Sequence, residues 1–301
     1  MMKKFFLPII LVAALIGAAY TSAYTTETQA AIPSLIYESD SARVDTLFEE
    51  DPYFILMGEA DSAIVHQRWG EAVLRLSDVL AVRPVDPSNA LILYNMGICH
   101  GHLGNDSLAL DCFDRSLELA PNMLVTLLAR GRQLLAMNRD YEAFDTFTHA
   151  IEVDSISTEA RFYHGMMALF GGKSALAEQD FMVLKRIAPY SADTATALGT
   201  LYSLTGRERE ALPYLRQLVE EDPQPETFAS LAGCYLALEQ LSDASTIIAD
   251  GLGRYPDDPE LYYYRAWLRR DQYLLEEAHA DAARAIRLGA SPTRVNALFA
   301  R

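Results

Sequence analysis

The run Cys99-His100-Gly101-His102, with Cys112 downstream, gathers residue types that ligate zinc. Ligands sharing a helix face stand three or four residues apart, and Cys99 with His102 is the only pair here at that spacing. Cys112 falls in the next apolar segment and nothing elsewhere repeats the arrangement, so buried or groove-lining side chains are expected, with no metal. Phe170-Gly171-Gly172-Lys173-Ser174 has the ending of a phosphate-binding loop, but such a loop needs a glycine where Met167 stands and a strand before it. A turn between two helices is expected instead. His66, His149, His164 and His279 are scattered without matching partners and sit in no nucleophile-elbow or zinc-protease motif. No catalytic constellation is visible, so the chain is expected to be neither an enzyme nor a cofactor protein. Cys234 makes the cysteine count odd, and no disulfide framework is implied.

The elements that carry these residues repeat with a period of 34. Alanine returns at Ala109, Ala143, Ala177 and Ala211 and, one residue early, at Ala244 and Ala278; Ala72 extends the series upstream. Twelve residues before each stands another small residue: Ala60, Gly97, Gly131, Gly165, Gly199, Ala232 and Ala266. Four residues after each comes an apolar one, among them Leu76, Phe113, Phe147, Phe181 and Leu215, with Ala282 in the last unit. Pro84, Pro121, Pro189, Pro223 and Pro256 close most units. Small residues mark where two helices approach too closely for a larger side chain. Gly104, Asn138, Gly172 and Gly206 supply types that tolerate a left-handed turn between the helices. A lone hairpin cannot bury its apolar face, so neighbours must stack into a continuous core.

This spacing resembles the tetratricopeptide repeat family over residues 53–292, most closely in Leu198, Gly199, Tyr202, Ala211 and Leu215. The resemblance implies an all-α fold, a right-handed α-solenoid of about seven helical hairpins at 53–86, 90–123, 124–157, 158–191, 192–224, 225–258 and 259–292. Residues 293–301 are amphipathic over two turns and are expected to form a C-terminal cap using Val295, Leu298 and Phe299. In the family the first helices line a concave groove, at the second, fifth, sixth, ninth, twelfth and thirteenth positions of each repeat. Carried over, those positions include Tyr94, Asn95, Ile98, His102, Leu128, Arg132, Phe162, Tyr163, Met166 and Phe170. Further along the chain they include Thr196, Thr200, Ser203, Tyr263, Tyr264 and Trp267. Tyrosine and tryptophan suit a binding surface because each offers large area and a hydrogen bond at small entropic cost. The basic set that clamps an acidic peptide terminus is missing. The expected function is a non-catalytic protein-protein interaction scaffold that binds a protein or peptide segment, with an exported small-molecule or glycan binder as the alternative.

Upstream, MMKK precedes the apolar run Phe5 to Tyr20, the layout of an export signal, and small residues at Thr21 to Ala23 could be cut. Residues 1–23 are thus expected to be a signal peptide or an N-terminal membrane anchor, with 24–52 a linker and short capping helix near Ser41 to Glu50. The expected location is periplasmic, with membrane contact only through residues 5–20. The 25 basic residues against 41 acidic ones, net −16, repel polyanions, so nucleic acid is not an expected partner.

Overall fold

A computed structural model describes residues 51–300. The leader, linker and capping-helix expectations for residues 1–50 lie outside the described residues. The described residues form fifteen helices and no strand. They divide into two compact units at Met167/Ala168, inside one helix.

The first unit contains α1 (Pro52–Val65), α2 (Trp69–Val82), α3 (Asn89–His102), α4 (Asp106–Leu119), α5 (Leu124–Ala136), α6 (Asp140–Val153) and most of α7 (Thr158–Phe170). Proline at the start of α1 loses no hydrogen bond there, and the Asp51 carboxylate accepts from the Tyr53 amide at 2.9 Å. Consecutive helices pack as hairpins around Leu76, Ile92, Phe113, Leu134 and Phe147, all fully buried or nearly so. A Cβ built on Gly97 would stand 2.4 Å from the Phe113 ring, and one on Gly131 would stand 2.5 Å from the Phe147 ring. Glycine at these positions therefore sets how closely the two helices of a hairpin approach. Ser116 crosses the stack, donating to the Ala90 carbonyl at 2.7 Å.

The second unit holds the end of α7 with α8 (Ser174–Ile187), α9 (Ala192–Leu204), α10 (Glu208–Glu221), α11 (Pro225–Ala237), α12 (Leu241–Arg254), α13 (Pro259–Asp271), α14 (Leu275–Arg287) and α15 (Pro292–Ala297). Its core includes Phe181, Leu184, Leu198, Leu201, Phe228, Ile248 and Leu261. Ser191 caps α9 by accepting from the Thr194 amide, and Asp258 caps α13 by accepting from Leu261. Val295 and Leu298 are buried, and the Phe299 ring stacks on His279 with centroids 4.1 Å apart.

Every hairpin turn places one residue in the left-handed region. Gly104, Gly172 and Gly206 take φ of 72°, 77° and 74°, and Asn138 takes 55°. Three turns without glycine or asparagine adopt the same conformation at Gln67, Glu239 and Tyr273, with φ of 56°, 60° and 64°. The Phe170 to Ser174 run is such a turn, closed by the Lys173 amide on the Ala168 carbonyl at 2.7 Å.

Candidate protein-interaction face

The Cys-His run sits on α3 and does not converge. Cys99 and Cys112 are buried thiols, and burial pushes Cys99 up to about 12. His102 lies flat on the Trp69 ring at 4.1 Å and 7°, and burial lowers its pKa. Among the described residues no group of His, Cys, Asp or Glu is placed to hold a metal ion. The other histidines are spent on packing and surface contacts: His164 stacks on Phe144, and His149 Nε2 lies 3.2 Å from Asn122 Oδ1.

Half of the residues expected to line a groove are buried, among them most of the aromatic ones. Tyr94, Asn95, Arg132, Phe162, Tyr163, Met166, Tyr263 and Tyr264 are all buried, whereas His102 and Trp267 are half-buried. The aromatic rings at the fifth and sixth repeat positions fill the space between one hairpin and the next. Tyr163 stacks on Phe147 at 5.1 Å and 14°, so only 7% of its surface reaches solvent. Tyr264 packs over Gly233, where a Cβ would approach the ring to 3.0 Å. Arg132 is paired with Glu159, and Arg294 covers the Tyr263 ring at 3.9 Å while pairing with Glu260. These residues hold the stack together and present little surface to a partner. Trp267 is held by its own helix, with Nε1 donating to Asp271 at 2.8 Å.

The same positional rule also picks out residues that do reach solvent, some of them already among the expected set. In the first unit Leu91 and Ile98 on α3, and Leu128 and Leu135 on α5, are half-exposed one to two turns apart, and α3 touches α5. This face is apolar. In the second unit the equivalent positions are polar: Asp193, Thr196, Thr200 and Ser203 on α9, then Glu226 and Ser230 on α11. The expected set left out Leu91, Leu135, Asp193, Glu226 and Ser230, which occupy the same repeat positions. Their signal was position alone, because a half-exposed leucine and a buried tyrosine look alike in a sequence pattern.

A tetratricopeptide repeat family model matches residues 204–268, and another matches 90–123. The chain carries tetratricopeptide repeats. Solved structures of the repeat type agree with the fold. A tetratricopeptide repeat protein from Parabacteroides merdae ATCC 43184 superposes with TM-score 0.61 at 19% identity, over 82% of this chain and 97% of that one. The Cut9-Hcn1 hetero-tetramer of APC/C gives 0.58 at 15% identity, over 81% and 54%. YrrB, described as having an unusual peptide-binding site, gives 0.51 at 20% identity, over 59% and 92%. At these identities the likeness concerns the fold. The tetratricopeptide repeat matched at residues 90–123 is the α3–α4 hairpin, which carries Leu91 and Ile98.

Proposed function

We propose that this protein is a non-catalytic scaffold that holds a segment of another protein against the apolar first-helix face of its first unit. The observation that carries the reading is the half-exposed row Leu91, Ile98, Leu128 and Leu135, set on helices fixed by the Gly97/Phe113 and Gly131/Phe147 contacts beneath them. A preformed apolar row binds through shape and area, and little ordering cost falls on the scaffold. The fold it shares with YrrB, whose peptide-binding site is part of its description, supports the same class of role. The charge balance favours a neutral or basic partner and disfavours nucleic acid. Export to the periplasm, with residues 5–20 as cleaved signal or anchor, is part of the proposal and rests on the N-terminal sequence.

Crosslinking of the tagged full chain in its native envelope, run beside a Leu91→Asn, Leu128→Asn variant, tests the reading. A discrete protein captured by the parent and lost with the variant, at unchanged helical content, supports it. Equal capture by both refutes the assigned face. Phe162→Ala with Tyr163→Ala is no substitute, because deleting these buried rings costs about 3–5 kcal/mol each and unfolds the scaffold.

A further inference from the structure

A cavity of about 420 Å³ opens in the first unit among α4, α5 and α6. Its volume lies in the ordinary range for ligand sites, about 300–1,000 Å³. Leu117, Leu127 and Pro121 give it an apolar wall. The polar groups around that wall differ in how far they are already engaged. Arg130 Nε donates to Asp114 at 2.6 Å and its NH1 to Thr146 Oγ1 at 2.5 Å. Glu142 accepts two hydrogen bonds from Arg139, at 2.7 Å each. His149 meets Asn122. Asp145 alone among the charged lining residues has no hydrogen-bond or ion-pair partner among the described residues.

An uncommitted carboxylate beside an apolar wall meets the requirements of a long cationic side chain. The wall takes the methylene stem and the carboxylate takes the charged head. We propose that this cavity is a second recognition site, distinct from the first-helix face, that accepts a lysine or arginine side chain of a partner protein. The chain's 41 acidic against 25 basic residues supply a field that draws basic segments toward it.

The test uses the full chain with labelled leucine methyls, following Leu117 and Leu127 by NMR while N-acetyl-lysine methylamide is added. Saturable shifts at both residues are expected. The uncharged norleucine counterpart, and separately the Asp145→Asn variant, should each weaken binding by about two- to fivefold, the size of one exposed charge pair. Asp145 is exposed, so the variant should keep the parent melting temperature. Absence of saturation, equal binding of norleucine, or an unchanged affinity in Asp145→Asn overturns the proposal. Putrescine binding more tightly than the lysine derivative also overturns it, since the site would then serve a free diamine. Leu91→Asn with Ile98→Asn, both on α3, which supplies no lining residue, should leave the titration unchanged, which separates this site from the first-helix face.

Discussion

Gly131→Ala adds a single methyl group where there is no room for one. The new Cβ would lie 2.5 Å from Phe147 Cζ and 2.7 Å from Cε1, roughly 1 Å inside the usual carbon-carbon contact of about 3.5 Å. Phe147 is fully buried, so its ring cannot swing into solvent and the helices must part. Overpacking of this kind costs about 1–3 kcal/mol, while replacing a mid-helix glycine returns up to about 1 kcal/mol of propensity. The net loss should be about 1–2 kcal/mol. Gly199→Ala occupies the same repeat position, but its Cβ meets the flexible end of Leu215 at 3.1 Å, so propensity offsets the contact and the change should be near neutral. The decisive variant is Gly131→Ala combined with Phe147→Leu, which recreates the alanine-leucine pairing that Ala60 and Leu76 already form in the first hairpin. Phe147→Leu alone opens a void, and the added methyl partly fills it. Urea unfolding followed by circular dichroism should show the double variant more stable than the sum of the singles by about 1 kcal/mol or more. Strict additivity, or a neutral Gly131→Ala, would refute the argument that these contacts set the helix spacing.

Two further outcomes follow from local geometry. Tyr273 holds φ of 64° with 89% of its surface exposed, a conformation costing a non-glycine residue about 1–2 kcal/mol, so Tyr273→Gly should raise stability by about 0.5–1 kcal/mol in the same urea assay. Asp281 is buried and accepts from Arg265 through both oxygens at 2.9 and 2.7 Å, with Arg269 also on it at 2.5 Å; Asp281→Ala should cost about 3 kcal/mol, read as a drop in thermal midpoint.

The helical-repeat fold was legible because its constraints are steric and local. Small residues at Gly97 and Gly131 stand where the large rings of Phe113 and Phe147 come closest, and both members of each pair sit at fixed spacing in the chain. The turns at Gly104, Gly172 and Gly206 were readable for the same reason. Gln67, Glu239 and Tyr273 were not, since their types give no hint of a left-handed φ; only the repeat register places them there. The interaction face was less legible. Whether a side chain at a groove position meets a partner or the next hairpin depends on neighbours a full repeat away: Tyr264 is buried because residue 233 is glycine, and Tyr163 because residue 147 is phenylalanine. Arg132 is likewise occupied by Glu159, set 27 residues later.

The reciprocal fit of small and large residues has a consequence for how such arrays grow. A first helix carrying alanine, as α1 does at Ala60, cannot be grafted onto a second helix carrying phenylalanine, as α6 does at Phe147, without collision. The smallest segment that can be copied or exchanged by recombination is therefore a whole two-helix lot, and breakpoints that split a hairpin should be purged while those falling between hairpins survive.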